Sequence, residues 1–292
     1  MPAADVRALT AAPPLAPPGW AGVGTCTLRA TETLPPQLLA HHVRMLTTAG
    51  HGTVTVDFVG YPCRPGTLLC IRPGQALHVR EPGMDAALLI FESRLDRELI
   101  SGHVTDDEPA GPHHWQLEGE DEDAVINEFT QLAVDCERHA PGPLTVSLLR
   151  YQLAVVLLRI ALLSDSAPDG AEHRTFARFQ RELEQGHPAS RRVEDYAAQL
   201  GCSVRTLTRA SLAVAGRTAK QVVDDRVALQ ARRLLACSPL SVAEVGRRLG
   251  FPEPTNFGRF FHREVGMSPG HFRAEFAGPD SGIIPVQRRP PD

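Results

Sequence analysis

Two stretches of the chain share one plan: residues 193–216 read VEDYAAQLGCSVRTLTRASLAVAG, and residues 242–266 read VAEVGRRLGFPEPTNFGRFFHREVG. In the first, apolar residues recur at helical spacing up to Gly201, a residue that commonly ends helices. Ser203 follows, and its hydroxyl can accept a backbone N–H bond at the start of a second helix. The second stretch repeats this order around Gly250. Both stretches therefore predict a helix, a short turn and a second helix.

The second helix of each stretch is expected to carry an outward row of polar side chains. It should run from about Val204 to Val214 in the first stretch and from Pro252–Pro254 to about Val265 in the second. A helix so placed can enter the major groove of DNA. The candidate DNA-contacting residues are Ser203, Arg205, Thr208, Arg209, Thr255, Asn256 and Arg259. The sequence leaves open whether the arginines read bases, clamp phosphates or lie solvated on the surface.

Charge is distributed unevenly along the chain. Residues 1–172 contain 11 arginines and 22 acidic residues, a balance of −11, whereas residues 174–292 contain 19 basic and 12 acidic residues, a balance of +7. The net charge of −4 hides this division. A basic half joined to an acidic half indicates that only the second half meets a polyanion such as double-stranded DNA.

Five short motifs follow one another in the basic half. They are SVRTLTR at 203–209, ARRLL at 231–235, LGF at 249–251, NFGRFF at 256–261 and GMSP at 266–269. In this order they resemble the AraC/XylS family of transcriptional regulators over about the last hundred residues. The resemblance implies that the two second helices lie in successive major-groove segments about 10 base pairs apart. It also favours transcriptional activation, with RNA polymerase as a partner.

The sequence departs from the family pattern at two packing positions. Ser211 stands where the family usually has a buried Phe, and Gly246 where it usually has Ala. These departures predict that the first helix-turn-helix unit is less tightly packed, with Leu212 able to fill the gap at Ser211. Pro252 and Pro254 flank the start of the second reading helix, where proline is tolerated because the N–H groups of a first helical turn lack partners. Between the two stretches, a long helix from about residue 220 to 236 is expected.

The first half of the chain has the sequence pattern of a small β-barrel or β-sandwich. Residues 53–59 alternate apolar and polar side chains, the period of a strand with one buried face. Residues 67–71 and 86–91 are short apolar runs between Pro-Gly turns, and this β-rich part ends near Leu95. Residues 66–78 resemble the second motif of cupin barrels and of AraC-type sensor domains. That resemblance makes His78 a candidate effector-binding residue at the barrel mouth, for a small-molecule effector.

Metal, cofactor and catalytic sites are not expected. His41 and His42 are adjacent, so in a strand they point to opposite faces and cannot chelate one metal together. His51 and His78 do not complete a ligand set, and no nucleophile–base pair or phosphate loop is visible. Two alternatives stay open: a regulator whose barrel binds a partner protein, and a cupin enzyme fused to a helical domain.

Residues 120–163 are expected to form a helical hairpin broken at Pro141–Pro143. The second helix, residues 144–163, is apolar on more than one face, which predicts burial against its own domain and against a second subunit in a homodimer. Leu149 and Val156 are expected to point outward to that subunit. A membrane span is disfavoured because the helix contains side chains that are costly in hydrocarbon: Arg150, Gln152 and Arg159.

The predicted fold class is α+β, an N-terminal cupin-like β-barrel with a helical dimerisation hairpin followed by an all-α domain with two helix-turn-helix units. The expected boundaries are a disordered tail at 1–22, a sensor domain at 23–117, a dimerisation segment at 118–166, a linker at 167–175, a DNA-binding domain at 176–276 and a disordered tail at 277–292. Six scattered cysteines without a Cys-x-x-Cys pair fit a reducing cytoplasm, and the N-terminus lacks the pattern of a secretory signal.

Overall fold

A computed structural model describes residues 22–81, 83–100, 113–140, 142–163, 170–187 and 190–277. These residues separate into two compact units, an N-terminal unit over residues 22–163 and a C-terminal unit over residues 170–277. Apart from Gly22 and Ala277, the two predicted tails lie outside the described residues. Residues 164–166, at the end of the predicted dimerisation segment, and residues 167–169, at the start of the predicted linker, also lie outside them.

The N-terminal unit is built on two antiparallel sheets. Its strands are β1 (Val23–Leu28), β2 (Leu34–Leu38), β3 (His42–Gly50), β4 (Gly52–Val56), β5 (Val59–Cys63), β6 (Thr67–Ile71), β7 (Ala76–Val79), β8 (Met84–Phe91) and β9 (His113–Gln116). One sheet has the order β1-β8-β3-β6-β9 and the other the order β2-β7-β4-β5. The expected β-rich first half is therefore present.

Apolar side chains fill the space between the two sheets. Alternate residues of each strand point into it, as period-two geometry requires, and Val54 and Val56 of β4 are fully buried there. Met45, Leu69 and Leu88 from the facing sheet belong to the same cluster. The interior of this pair of sheets is therefore a packed hydrophobic core.

The strand expected over residues 53–59 is interrupted by a tight turn. β4 ends at Val56, Asp57 and Phe58 adopt positive φ angles of 52° and 68°, and β5 returns so that Val56 pairs with Val59. Such angles are unusual for residues other than glycine and need support from their surroundings. The Asp57 carboxylate provides it by accepting bonds from the Ala76 N–H at 3.0 Å and the Gln75 side-chain amide at 2.7 Å. The prediction of one continuous strand was wrong here.

The described residues of the N-terminal unit form three helices, α1 (Ser93–Ile100), α2 (Glu120–Arg138) and α3 (Pro143–Leu163). The five-stranded sheet contributes Leu46, Leu68 and Leu89 to a second core, which it shares with these helices. Phe129 of α2 and Leu153 of α3 are buried in the same cluster. The predicted helical hairpin is present, and it covers the outer face of this sheet.

The buried face of α3 differs from the predicted one. Leu149 and Val156, expected to point outward, are only 5% and 1% exposed. The outward apolar side chains are Leu144, Leu148, Tyr151, Val155, Leu158 and Leu162. The prediction chose the wrong face because a helix that is apolar all round gives no sequence signal for which side meets its own core.

Among the described residues, α3 is also the one helix long and apolar enough to cross a membrane by length and composition alone. Its polar side chains bond within the unit instead of facing hydrocarbon. Gln152 donates to Asp135 of α2 at 2.5 Å, and Arg159 donates to Glu128 of α2 at 3.1 Å. These bonds and the buried apolar side fit a helix packed on a sheet.

The C-terminal unit is all-helical over its described residues. Its helices are α4 (Ala171–Gly186), α5 (Val193–Gln199), α6 (Val204–Ala215), α7 (Ala219–Cys237), α8 (Val242–Arg248), α9 (Pro254–Val265) and α10 (Pro269–Ala277). α4 begins inside the segment 167–175 that was expected to be a linker, because Phe176, Phe179 and Leu183 form a face buried within the unit. Phe179 packs edge-on against Tyr196 of α5, with ring centroids 5.7 Å apart.

Candidate nucleic-acid interface

Helices α5 and α6 form the first of two helix-turn-helix motifs, here called the first motif. Gly201 has a φ of +65°, which lets the chain turn sharply after α5. The hydroxyl of Ser203 accepts the N–H of Thr206 at 3.1 Å and caps α6. The turn and the cap occur where the sequence predicted them. Because the Ser203 hydroxyl is used in this way, a role for it in contacting DNA stays a prediction.

The reading side of α6 is exposed to solvent. Arg205 and Arg209 are exposed, and Thr208 is half-buried beside a hollow of about 290 Å³ that Arg191, Arg192 and Lys220 also line. The Arg209 Nε lies 3.6 Å from a carboxylate oxygen of Glu172 in α4. Within the described residues Arg205 has no salt bridge. The two arginines therefore differ in their electrostatic surroundings: Arg209 lies near a carboxylate, whereas Arg205 has no salt bridge within the described residues.

Helices α8 and α9 form the second motif. Ser241 and Glu244 cap α8 reciprocally, and Gly250 turns the chain with a φ of +76°. α9 starts at Pro254 in the first helical position, where its missing N–H costs nothing. Its outward residues Thr255, Asn256 and Arg259 are all exposed. The structure thus presents each predicted reading residue of the second motif to solvent.

Close packing between α8 and α9 explains Gly246. A Cβ at this position would lie 3.1 Å from both the Cβ and the Cγ of Phe257. Glycine therefore lets α8 approach the α9 aromatic side chains closely. Phe257 in turn stacks obliquely on Phe251 and Phe261, with ring centroids 5.4 and 5.9 Å apart. The departure from alanine does not loosen the second motif.

The other departure, at Ser211, is accommodated without a larger neighbour. Ser211 is fully buried in α6 and its hydroxyl donates to the Leu207 carbonyl at 2.8 Å. Leu212 was expected to fill the space left by the missing phenyl ring, but it is 49% exposed. That expectation was wrong because consecutive helical residues point about 100° apart.

The long helix α7 joins the two motifs. Thr218 and Gln221 form a capping box at its start, and its buried residues include Val223, Val227 and Leu234. Arg226 of α7 donates to both carboxylate oxygens of Glu184 in α4 at 2.8 Å each. Near the C-terminal end of α7, Arg273 of α10 donates to the carbonyls of Leu235 and Leu240. The scaffold between the motifs is therefore held by specific bonds in its middle and near its C-terminal end.

One side chain also joins the two motifs directly. Arg191, two residues before α5, donates through Nη2 to the carbonyl of Gly250 in the turn of the second motif, at 2.9 Å. Its guanidinium carbon lies 3.8 Å from the centroid of the Phe251 ring. Arg191 was not among the predicted site residues, because its partners lie about 60 positions along the chain and no sequence spacing signals the contact.

The predicted sensor residue His78 lies on β7, where it pairs with Thr55 of β4. It is half-buried, and burial together with the charge of Arg80 lowers its pKa. His42 is more deeply placed: its ring stacks on Phe91 with centroids 5.1 Å apart, and burial lowers its pKa to about 3. Both imidazoles are therefore neutral at physiological pH. Across the described ranges, no group of His, Cys, Asp and Glu residues is arranged to hold a metal ion.

Comparison with known proteins finds a family match within the C-terminal unit and similarity to transcriptional activators. Residues 196–275 match a family described as a helix-turn-helix domain. The transcriptional activator NphR of a Rhodococcus species is 37% identical over 117 residues, which is 40% of this chain and 35% of NphR. The HTH-type transcriptional activator RhaS of Salmonella schwarzengrund is 29% identical over 167 residues, 56% of this chain and 58% of RhaS. The matches thus span about a third to three fifths of these relatives.

Two solved structures are also similar. ToxT from Vibrio cholerae O395 aligns over 88% of this chain and 99% of its own, with 11% identity and a TM-score of 0.48. The DNA-binding domain of the global transcriptional factor AdpA, solved in complex with a target DNA, is 33% identical and aligns over 36% of this chain and 92% of its own, with a TM-score of 0.31.

Proposed function

Since residues 196–275 form a helix-turn-helix domain of the AraC type, we propose that this chain is a sequence-specific DNA-binding transcriptional regulator, and an activator. The observation that carries the proposal is the pair of motifs whose reading helices, α6 and α9, expose arginine, threonine and asparagine side chains. Such side chains can bond to base edges in the major groove. The balance of +7 after residue 173 supports attraction to the phosphate backbone.

Site selection with two variants tests this proposal. Arg209→Ala and Arg259→Ala should each weaken binding to the selected duplex, by about 1 to 3 kcal/mol where the lost contact is a bidentate guanine pair. The two variants should lose preference at base pairs about one helical turn apart, since the arginines belong to different motifs. Binding sites are selected for each variant from a randomised library, and affinity is then measured over a range of salt concentrations.

The possible results separate the roles of these arginines. A phosphate contact would weaken binding to all sequences alike and lower the salt slope by about one unit. Loss of preference at the same base pairs in both variants would contradict the two-motif geometry. Failure of the wild-type chain to select any sequence would refute the proposed function.

We also propose a homodimer formed through α3. Its outward apolar side chains stand at positions 144, 148, 151, 155, 158 and 162, alternating steps of four and three residues. This is the spacing of the contact seam in a coiled coil, where two helices bury such residues against each other. A second copy of the chain offers the same seam and so matches it in length and chemistry.

We propose that the N-terminal unit senses a small-molecule effector. His78 is a candidate residue for contacting it. Apolar side chains from both sheets pack together in the core between them. A hollow of about 230 Å³ lies between α2 and the outer sheet face, lined by Leu46, Phe129, Thr130 and Glu137 among others. The packed intersheet core equally favours the alternative in which a partner protein binds this unit. In either case the proposed setting is the cytoplasm, with RNA polymerase as the partner in activation.

A further inference from the structure

Arg191 connects two parts of the C-terminal unit that are far apart in sequence. Its guanidinium donates to the Gly250 carbonyl at 2.9 Å and lies on the face of the Phe251 ring at 3.8 Å. A guanidinium can make both contacts at once because its N–H groups lie in its plane and its π-face is free to stack. The contact is therefore directional, and a lysine in this place could not reproduce it.

The backbone that carries Arg191 is fixed to the first motif. The neighbouring Ser190 carbonyl accepts the Tyr196 hydroxyl at 2.7 Å, and the Ser190 hydroxyl donates to Asp195 at 2.5 Å. The Arg192 N–H in turn donates to the Ser190 hydroxyl at 3.1 Å. Asp195 and Tyr196 both belong to α5. Arg191 thus projects from a short segment held on the first helix of the first motif.

The receiving end is fixed to the second motif. The Phe251 N–H donates to the Gly246 carbonyl of α8 at 2.9 Å. The Phe251 ring is buried and contacts Phe257 and Phe260 of α9, with centroids 5.4 and 5.0 Å apart. Movement of the Phe251 ring would therefore disturb the reading helix of the second motif.

We propose that Arg191 is a positioning residue that locks the two motifs to each other, so that α6 and α9 read DNA segments at one fixed spacing. This inference rests on the proposed function, because spacing has meaning only for a protein that reads DNA with both motifs. The long helix α7 joins the two motifs, and α4 and α10 are bonded to it. The Arg191 contact adds a direct connection between the start of the first motif and the turn of the second, and so restrains their relative movement.

The test compares Arg191→Met with Arg192→Met in the full chain. Methionine keeps the apolar stem of residue 191 but loses the bond to Gly250 and the guanidinium stack. Arg192 is a matched control, since it is the adjacent arginine, its side chain is 75% exposed and it lies 3.7 Å from Glu194 of its own motif. Both variants remove one positive charge. Binding is measured to duplexes that carry the selected site unchanged, or with one base pair inserted or deleted between the two segments that the motifs read.

We expect Arg191→Met to bind the natural spacing about three- to tenfold more weakly than wild type, the scale of one lost hydrogen bond and one cation–π contact. Its affinities for the altered spacings should approach that for the natural one, whereas wild type and Arg192→Met should keep a sharp preference. Arg191→Lys keeps the charge and should show the same loss of spacing preference with an unchanged salt slope.

Hydrogen exchange on the free protein gives a readout without DNA. Amides at residues 250–257 should exchange faster in Arg191→Met and Arg191→Lys than in wild type and Arg192→Met. Unchanged exchange there, together with unchanged spacing preference, would overturn the inference and leave Arg191 as a surface or phosphate-contacting charge. Absence of any two-segment site for the wild-type chain would refute the proposed function instead, while the exchange result would still decide whether Arg191 locks the motifs.

Discussion

At the scale of single residues, Ser211 shows how a small side chain can serve a position where the family resemblance predicted a large one. It is fully buried, and its hydroxyl bonds to the Leu207 carbonyl of its own helix. Because the Ser211 hydroxyl has this partner, the protein avoids burying an unbonded hydroxyl, which would cost about 1 to 3 kcal/mol. A serine therefore satisfies this buried position without a larger side chain.

A large side chain at this position should destabilise the protein. We expect Ser211→Phe to lower the free energy of unfolding by about 1 to 3 kcal/mol, because a phenyl ring must displace the neighbours that now touch the serine. Leu212→Phe is the control, since the adjacent side chain is half exposed and should tolerate the ring within about 0.5 kcal/mol. Denaturant titration measures both. Equal stability of the two variants would show that space for a ring exists at position 211.

The Glu184–Arg226 pair links α4 to α7 and should make stability depend on pH. Burial alone would raise the pKa of Glu184, but the two bonds and the charge of Arg226 outweigh it and lower the pKa below its usual value. A lowered pKa in the folded state stabilises the protein above the unfolded pKa, and this contribution is lost as pH falls through the folded value. The pair therefore contributes at neutral pH and not in strong acid.

Glu184→Gln should reveal this dependence. At pH 7 we expect the variant to be less stable than wild type by at most about 1 kcal/mol, since part of the carboxylate side chain is exposed and solvent screens the pair. The difference should shrink as pH falls below the usual glutamate pKa and through the lowered folded-state pKa of Glu184, where the wild-type carboxyl also becomes neutral. Unfolding midpoints measured from pH 7 to pH 3 check this. A difference that stays constant over that range would contradict the expected linkage.

At the scale of elements, α3 is a helix with two apolar faces. One face is buried on the five-stranded sheet and the other presents six apolar side chains to solvent. Exposed apolar patches of this kind on a stable fold commonly mark interaction surfaces. The alternating four- and three-residue steps along this face favour another helix as the partner.

Charge placed on the seam should separate the subunits. We expect Val155→Glu to be monomeric at concentrations where the wild type is dimeric, because a buried carboxylate in the seam would lack a partner. Val59→Glu makes the same change on β5 at an equal exposure, 44% against 43%, and should leave the dimer intact. Sedimentation velocity at micromolar concentration distinguishes the two. A monomeric wild type would contradict the proposed dimer outright.

The helices and strands also show which parts of the fold could be predicted from the sequence alone. Helical spacing located α2, α3 and the helices of both motifs, because apolar periodicity and capping residues are local signals. The outward face of α3 could not be chosen, since apolar residues surround the helix. The β4–β5 turn was missed because Asp57 and Phe58 give no glycine signal, and their conformation depends on bonds to Gln75 and Ala76 far along the chain. The Arg191 contact was also missed, because its partners lie far away in the sequence.

At the scale of the whole molecule, acidic and basic halves of the sequence correspond to two compact units. The C-terminal unit has its own core, which includes Phe176, Phe179 and Leu183 of α4 as well as the aromatic cluster of the second motif. A boundary at residue 176 would cut α4 and remove its first turn. The DNA-binding fragment should therefore begin before α4.

We expect residues 170–277, expressed alone, to fold and to bind duplex DNA with an affinity that falls steeply as salt rises, because arginine contacts release counterions. Residues 190–277 should fail to fold cooperatively, since α4 supplies three buried apolar side chains and the Glu184 partner of Arg226. Circular dichroism on heating and fluorescence anisotropy with labelled DNA measure the two properties. A cooperative transition in the shorter fragment would show that α4 is dispensable.

The apolar seam of α3 has a consequence for how a cell would use this protein. Where a paired operator is occupied only by two joined copies, and most of the chain is monomeric, occupancy rises with the square of protein concentration. A twofold change in expression would then alter promoter occupancy up to fourfold. Weakening the seam by one substitution would shift the threshold dose for transcription without touching any side chain that faces DNA.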